Sequence, residues 1–316
     1  MSVSQPLPEI ALSRTEIQAT EAPGARRGGW LVRITVIIIV LIWLVPTLGV
    51  LVTSFRPEAL TDNSGWWTAF ANPFDMAEWT LDNYRLALKA GGFANAFLNS
   101  LAVAVPSTVI PITIAAFAAY AFSWMDFRGR YVMFIAVVGL LVVPLQMALI
   151  PILRLYTSGG IVAGRWVFPD LDLGGTFLGV WLAHTAFGLP LAVYLLRNYI
   201  GSLPRSIVES AKMDGAGHFT IFWRLIIPLS VPALAAFAIF QFLWVWNDLL
   251  VAYVFLGGSS QNEVLTVALR NLVGARGENW HLLSAAAFIS MSLPLVVFFS
   301  LQKYFVSGLT AGSVKG

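Results

Sequence analysis

The chain has 316 residues, of which 58% are hydrophobic and only 11% are charged, and its mean hydropathy is +0.78. An ordinary soluble domain is about half apolar and a quarter charged, so this composition is typical of an integral membrane protein. The formal net charge of +3 is too small to indicate a nucleic-acid-binding protein. Cysteine is absent, which excludes disulfides, zinc–thiolate sites and thiol nucleophiles.

The N-terminal segment, residues 1–29, is polar and is predicted to be a flexible cytoplasmic tail. The apolar run that follows Arg26 and Arg27 extends from Trp30 to about Phe55, which is longer than the apolar core of a signal peptide. No small-residue cleavage site follows the run. It is therefore predicted to be a retained membrane-spanning helix and not a cleaved signal.

Six segments contain the roughly 20 mostly apolar residues that a membrane-spanning helix needs. Their approximate bounds are Trp30–Phe55, Phe93–Ser123, Tyr131–Leu155, Thr176–Arg197, Ile226–Leu256 and Ser284–Val306. Most contain proline, which a membrane helix tolerates, usually with a kink, because neighbouring groups satisfy the freed carbonyl. The predicted fold class is all-α integral membrane, with six transmembrane helices in residues 30–306 and no internal repeat or soluble domain.

Basic residues predict the orientation of these helices. Arg128 and Arg130 lie in a very short loop, and the loops on the same side hold more Lys and Arg than those on the opposite side. Basic loops remain in the cytoplasm, so both termini are predicted to be cytoplasmic.

The first external loop, residues 56–92, is long and reads "RPEALTDNSGWWTAFANPFDMAEWTLDNYRLAL" in its first part. It is predicted to form a small folded cap with a helix near Leu81–Leu88. One interpretation is a docking surface for an external partner. The other is an interfacial segment whose tryptophans lie among lipid headgroups.

A cytoplasmic insert, residues 198–225, separates the fourth and fifth apolar segments. "SLPRSIVESAKMD" predicts a short helix, with Ser202 as its cap and Pro204 in its first turn. Gly215 is suited to end that helix in the left-handed conformation, and "HFTIFWRL" starts a second helix. The apolar face of the first helix, with Val208 and Ala211, either fits a groove in another protein or packs back on the bundle.

The stretch "ESAKMDGAGHFTIFWRLIIP" resembles the cytoplasmic loop signature of permease subunits of ATP-binding-cassette importers. That signature has an acid and two small residues, then a glycine, then an apolar–x–apolar–proline ending. The residues that match it in this chain are Glu209, Ser210, Ala211, Asp214, Gly215, Ala216, Leu225, Ile227 and Pro228. Ser210 in place of the usual alanine is a mild departure, as are the aliphatic residues at Leu225 and Ile227.

Three further stretches resemble the second permease subunit of carbohydrate importers of the maltose type. They are "WNDLLVAYVF", "FVSGLTAGSVKG" and "NLVGARGENWHLLSAAAFISMSLPLVVFFSLQKYFVSGL", and the last of them resembles the α-glucoside branch of these importers. This resemblance implies the type I importer permease fold in a bacterial or archaeal cytoplasmic membrane. It implies a second, different permease, two ATPase subunits that bind ATP and Mg²⁺, an external sugar-binding protein and a sugar substrate. It also implies that the 198–225 loop is a coupling helix seated on an ATPase, and that the tail, residues 307–316, reaches the ATPase interface.

Several polar and aromatic residues within the apolar segments are candidates for the substrate pathway. An acid such as Asp248 costs at least about 2.5 kcal/mol in a membrane helix, so it is expected to face a cavity or a partner. Its alternative role is an interhelical hydrogen bond that only fixes packing. The candidates are Gln146, Gln241, Trp244, Trp246, Asn247 and Asp248.

No catalytic role is predicted for this chain. His184, His218 and His281 have no metal-ligand spacing, no paired carboxylates share a helix face, and a glycine-rich phosphate loop is missing. The chain is therefore expected to bind no metal, ATP or other cofactor itself. The alternatives to the sugar permease are a permease for another cargo such as glycerol 3-phosphate, a secondary transporter, and an intramembrane enzyme.

Overall fold

The computed structural model describes residues 29–162, 165–257, 261–272 and 279–311. The N-terminal tail expected at 1–29 and the C-terminal tail expected at 307–316 fall largely outside these residues. The elements, in chain order, are α1 (Trp30–Ser54), α2 (Glu58–Asn63), α3 (Asp82–Lys89), α4 (Phe93–Trp124), α5 (Arg130–Gly139), α6 (Leu145–Ser158), β1 (Gly160–Val162), β2 (Arg165–Phe168), α7 (Phe177–Gly201), α8 (Arg205–Met213), α9 (His218–Ile221), a π-helical turn (Phe222–Ile226), α10 (Ile227–Trp246), α11 (Leu250–Leu256), α12 (Leu265–Leu272) and α13 (Trp280–Ala311).

Five helices among the described residues are long and apolar enough to cross a membrane. They are Trp30–Ser54, Phe93–Trp124, Phe177–Gly201, His218–Trp246 and Trp280–Gln302. A helix satisfies its backbone hydrogen bonds internally, which is what a chain in hydrocarbon requires. A sixth crossing is obtained if the bent pair Arg130–Val142 and Leu145–Ser158 counts as one span.

The third predicted span, Tyr131–Leu155, is not one helix. The chain turns through 106° between its two halves. Pro144 lies at the break with an extended backbone, φ −62° and ψ 124°, and its carbonyl accepts from Met147 N at the start of α6. Proline has no N–H to continue the α5 ladder and disfavours helix in the residue before it, so it separates the two helices here.

The fifth predicted span, Ile226–Leu256, has different bounds in the structure. The helical crossing begins earlier, at His218, and ends at Trp246. Asn247 ends the helix, and the separate helix α11 follows.

A two-stranded antiparallel hairpin, β1–β2, follows α6 and was not predicted from the sequence. Gly159, with φ +65°, ends α6 and leads directly into it. A left-handed φ suits glycine, which has no Cβ to crowd the backbone.

The chain divides into two compact units at Val50/Leu51, a boundary that lies within α1. In the first unit the residues of α1 are exposed, apart from Gly49, which is buried. An apolar helix with so exposed a surface is suited to lipid or to another apolar partner.

The second unit contains two apolar cores, one at each end of the α4–α7–α10 bundle. The first core includes Phe93, Val245 and Phe255 and draws on α3, α6, α11, α12 and α13. The second core includes Leu196 and Ile226 and draws on α8 and α9. The two ends of the bundle therefore bury different segments that lie outside the long helices.

The cap predicted at residues 56–92 is folded, and α3 confirms the helix expected near 81–88. Arg56 lies at the centre of the cap and is 1% exposed. Its guanidinium donates to Gly65 O at 2.9 Å and to Glu78 Oε2 at 3.1 Å, with further bonds to the hydroxyls of Ser64 and Thr68. A buried charge is stable only when it is paired and hydrogen-bonded, and these contacts satisfy the two terminal nitrogens, Nη1 and Nη2. Among the described residues the buried Nε has no hydrogen-bond partner.

Candidate functional site

Helix α8 begins at Arg205, three residues after the predicted cap, Ser202. Ser202 ends α7 instead, and its Oγ donates to Tyr199 O at 2.7 Å. Pro204 occupies the position before α8, with φ −59° and ψ 124°. The prediction of Ser202 as the N-cap was wrong because the α7 helix extends further than its apolar run.

The end of α8 is a Schellman motif centred on Gly215. Ala216 N donates to Ala211 O at 2.9 Å and Gly215 N donates to Lys212 O at 3.0 Å, which is the paired pattern of this motif. Gly215 has φ +82°, as predicted for a left-handed helix end. A Cβ built on Gly215 meets no atom within 4 Å, so the requirement for glycine is conformational and not steric.

One face of the α8–α9 segment packs back on the bundle. Val208 and Ile221 are 2% and 1% exposed in the second core, and Ala211 and Ala216 are half-buried beside them. Val208 therefore does not reach a groove in another protein, and the alternative interpretation of this face is the one observed. The opposite face, with Glu209, Ser210 and Met213, is exposed.

The junction between α9 and α10 is a π-helical turn, Phe222–Ile226. Pro228 follows it at the start of α10 and has no N–H to donate to Arg224 O four residues earlier. The ring of a proline also clashes with that carbonyl in a regular α-helix, so a wider turn relieves both problems. Leu225 and Ile227 are half-buried on either side of the buried Ile226.

The residues of the sequence motif therefore have three different structural roles. Glu209, Ser210 and Asp214 are exposed at the surface of α8 and its turn. Ala211 and Gly215 form the Schellman motif with Ala216. The remaining members, Leu225, Ile227 and Pro228, form the entry to α10.

A second group of candidates lies along α10 and faces its neighbours. Gln241 is 1% exposed, and its Nε2 donates to Ser107 O on α4 at 3.1 Å. A Cβ at Gly188 on α7 would come within 2.7 Å of this amide nitrogen, so Gly188 makes room for the glutamine. Trp246 Nε1 donates to Ser290 O at 3.2 Å across to α13.

Asp248 caps the start of α11. Its Oδ1 accepts from Val251 N at 3.3 Å and its Oδ2 accepts from Ala252 N at 2.9 Å. His184 on α7 places Nε2 3.7 Å from Asp248 Oδ2, which is too long for a direct hydrogen bond. The ring of Trp244 meets His184 edge-to-face at 5.4 Å. The structure therefore gives Asp248 a defined local role in holding α11.

Asn247 and Gln146 are placed differently. Asn247 is exposed, and its Nδ2 donates to Leu243 O within its own helix. Gln146 is exposed on α6, and no hydrogen bond or ring contact among the described residues joins it to the α10 group. The six candidates therefore do not form one cluster.

Sequence reasoning missed the environments of two histidines. His184 is fully buried, and among the described residues neither of its ring nitrogens has a hydrogen-bond partner. His218 Nδ1 is 2.8 Å from Tyr120 OH. The burial of His184 and the contact of His218 depend on residues distant in sequence, so no local pattern reveals them. Among the described residues no group of three His, Asp or Glu side chains is placed to hold a metal ion.

Comparisons with known proteins agree with this architecture. The sequence profile of the binding-protein-dependent transport system inner membrane component family matches residues 20–311. An osmoprotective compounds uptake permease protein, GgtD, of Synechocystis sp. is 57% identical over 90% of this chain and 91% of its own. An alpha-glucoside transport system permease protein, AglG, of Rhizobium meliloti is 45% identical over 91% of this chain and 97% of its own.

Solved structures show the same fold. A chain of a bacterial ABC transporter involved in the import of alginate has a TM-score of 0.66 with 22% identity, over 87% of this chain and 95% of that chain. The same kind of transporter, in complex with an alginate pentasaccharide-bound periplasmic protein, gives a TM-score of 0.61 with 14% identity, over 86% and 92% of the two chains. With the profile match and the two relatives, these findings show that this multi-pass membrane chain belongs to the family of binding-protein-dependent transport system inner membrane components.

Proposed function

We propose that this chain is one permease subunit of an ATP-driven carbohydrate importer and that α8–α9 is its coupling element. The observation that carries the proposal is the two-sided packing of this segment. Its inner face is buried in the second core through Val208, Ile221 and Phe222, while its outer face leaves Glu209 and Met213 exposed. A segment packed in this way transmits force to the bundle and still presents a surface to a soluble motor.

The partners follow from this assignment. The chain forms half of a pathway, and a second permease forms the other half. Two ATPase subunits bind ATP and Mg²⁺, and a sugar-binding protein delivers the cargo from outside. The word "binding-protein-dependent" in the family description and the periplasmic protein bound to one alginate transporter support this assembly.

The domain boundaries are part of the same proposal. Residues 30–306 form the membrane domain, and residues 1–29 and 307–316 are cytoplasmic tails. The cap faces outward and α8–α9 faces the cytoplasm of a bacterial or archaeal cell.

This orientation has a direct test because the chain contains no cysteine. Asp75 and Met213 are both exposed, the first in the cap and the second on α8. A membrane-impermeant maleimide added to intact spheroplasts should label Asp75→Cys and leave Met213→Cys unlabelled until the membrane is broken. The reverse pattern would invert the proposed topology.

The cargo that the relatives favour is an α-glucoside. One relative carries that substrate in its name, and the other is named for osmoprotective compounds, so a small osmoprotective glucoside unites the two. Other cargo, such as glycerol 3-phosphate, is the alternative. A secondary transporter is disfavoured because the chain belongs to a binding-protein-dependent family.

The geometry divides the pathway candidates. Trp244, Asn247 and Asp248 retain some exposed surface, which a passing sugar requires. Gln241 and Trp246 are buried and bonded to backbone carbonyls of other helices, which favours a packing role. Gln146 has an exposed side chain but lies outside the group.

Reconstitution tests the proposal. A tagged chain should co-purify with a different permease and an ATPase pair, and vesicles containing the complex should take up an α-glucoside only with ATP and the binding protein. Parallel uptake of maltose, a zwitterionic osmoprotectant and glycerol 3-phosphate would identify the cargo class. Transport by the chain alone, without ATP, would contradict the assignment.

A further inference from the structure

Helix α4 contacts segments outside the long helices at both of its ends. It contains 32 residues, Phe93–Trp124. From Ser100 to Tyr120 the rise is about 30 Å at 1.5 Å per residue, which is about the thickness of a bilayer's hydrocarbon core. The two contacts described next therefore lie near opposite ends of α4, separated by about the thickness of that core.

The first contact joins α4 to α9. Tyr120 is 4% exposed, and its hydroxyl lies 2.8 Å from His218 Nδ1. Its ring meets Phe222 edge-to-face at 5.4 Å, and Phe117 stacks on Phe222 at 4.5 Å with an angle of 20° between the rings. The start of the α9–π segment is thus fixed to α4 by a hydrogen bond and four ring contacts among the described residues.

The second contact joins the other end of α4 to residues 261–265, which lead into α12 and include its first residue. Asn99 Nδ2 donates to Gln261 O at 3.1 Å and to Glu263 O at 2.9 Å. Ser100 Oγ accepts from Leu265 N at 2.7 Å, and Ser100 is 5% exposed. Side chains of α4 therefore hold the backbone of this segment directly.

Between these ends α4 is held on two sides. Trp181 Nε1 on α7 donates to Ala102 O, and Gln241 Nε2 on α10 donates to Ser107 O. Ala115 and Ala119 are fully buried, so neighbouring helices approach α4 closely along its second half. Close-packed interiors transmit displacement because they contain little free space.

We propose that α4 links the α8–α9 segment mechanically to residues 261–265 on the other side of the membrane. This inference rests on the proposed function, in which ATPases act on α8–α9. A shift of α9 displaces Tyr120, because the hydrogen bond and the stacked rings resist a change of distance. The displacement reaches Asn99 and Ser100, which move the backbone that they hold.

The test uses the assembled complex in vesicles with a single reporter cysteine at Gln261, whose side chain is exposed. Maleimide labelling is timed with and without a non-hydrolysable ATP analogue. In the otherwise unchanged chain we expect the nucleotide to change the labelling rate. Tyr120→Phe removes only the hydroxyl, and a hydrogen bond of ordinary net strength corresponds to about two- to tenfold in an equilibrium, so the nucleotide effect should shrink by that factor.

Ser100→Ala, at the far end, should reduce the nucleotide effect in the same way. Thr113→Val is the matched control, because the Thr113 hydroxyl is also on α4 but, among the described residues, bonds only to Val109 O of its own helix. His218→Asn should retain part of the effect, since an amide can replace the ring nitrogen as a partner for Tyr120, whereas His218→Leu should not.

Three results would overturn the link. The first is a labelling rate at Gln261→Cys that does not respond to nucleotide. The second is a nucleotide response that survives both Tyr120→Phe and Ser100→Ala, and the third is a loss of assembly as the only defect of these two variants. Recovery of the ATPases and ATP-driven uptake by the unchanged complex are measured in the same preparation. They test the proposed function separately, so a failed link with intact uptake leaves that function standing.

Discussion

The cap, residues 56–92, and the α8–α9 segment both lie outside the long helices, but their charged residues are placed differently. The cap is closed around a buried charge, because the Arg56 guanidinium bonds to groups of the cap itself. The α8–α9 segment has its charged side chains at the surface and its apolar residues, Val208 and Ile221, in the core of the bundle. The first arrangement ties the turns of the cap to one another around the charge, while α3 of the cap also packs into the first core through Ala87. The second arrangement makes a segment whose position depends on the bundle.

Removing the central charge of the cap should have the largest effect. Arg56→Ala leaves Glu78, whose side chain is 18% exposed, without its partner, and breaking such a buried pair costs about 3–5 kcal/mol. We expect hydrogen exchange and protease cleavage to increase across residues 58–79 while the membrane helices stay protected.

The matched control for Arg56 is Arg85→Ala. Arg85 pairs with Asp82 at 3.4 Å, with side chains 76% and 67% exposed, and such surface pairs contribute less than about 1 kcal/mol. Equal protection of the cap in both variants would show that the buried charge does not hold it together.

The second largest effect is expected at the turn between α8 and α9, the proposed coupling element. Gly215→Val must adopt a left-handed conformation, which costs about 1–2 kcal/mol or more for a β-branched residue. The subunit should still insert, but uptake should collapse while the ATPases detach or hydrolyse ATP without responding to sugar. Uptake, ATP turnover and subunit stoichiometry in vesicles measure this.

Gly217→Ala is the control for that turn. Gly217 has φ −73°, and a Cβ there meets no atom within 4 Å, so alanine fits without strain. Sugar-stimulated ATPase activity that survives Gly215→Val would show that α8–α9 is not the coupling element.

A smaller effect is expected at Asp248, where a side chain and not a backbone conformation fixes a helix start. Asp248→Ala removes the cap of α11, which costs about 1 kcal/mol. Asparagine is also a good cap, so Asp248→Asn removes the charge and, with its single acceptor oxygen, keeps one of the two cap hydrogen bonds. If uptake falls in both variants while the yield of the complex is normal, the charge serves transport. If only Asp248→Ala is affected, and the quantity that falls is the yield of the complex, the residue serves packing.

The smallest effect on stability is expected on the outer face of α8. Met213 is 89% exposed, and surface substitutions usually change stability by less than about 0.5 kcal/mol. Met213→Ser should leave thermal unfolding unchanged and reduce recovery of the ATPases with the tagged chain. Unchanged recovery would show that this face of α8 contributes nothing to the motor interface.

The sequence predicted the parts of this fold that depend on local patterns. Apolar runs located the long helices, and Gly215 located the end of α8, because hydrophobic length and a left-handed turn are properties of neighbouring residues. The sequence also placed Pro144 inside the third span, but proline within an apolar run allows a kink as well as a full break. That the chain turns through 106° between α5 and α6 is seen only in the packed structure.

The contacts that join distant segments could not be predicted. Arg56 and Glu78 are both ordinary charged residues in a polar loop, and nothing nearby indicates that one is buried. Tyr120 and His218 lie 98 residues apart, and their hydrogen bond depends on how α4 and α9 meet. The candidate site was therefore located by its motif, whereas the connections between the site and the bundle required the structure.

The π-helical turn at Phe222–Ile226 alters the angular register of everything that follows it. An extra residue in a helix rotates the downstream side chains by about 100°, since an α-helix has 3.6 residues per turn. A helical wheel that treats residues 218–246 as one regular α-helix therefore places Gln241 and Trp244 on the wrong face of the helix. Deleting a single residue within the turn would keep the span nearly as long and would turn those side chains away from α4 and α7.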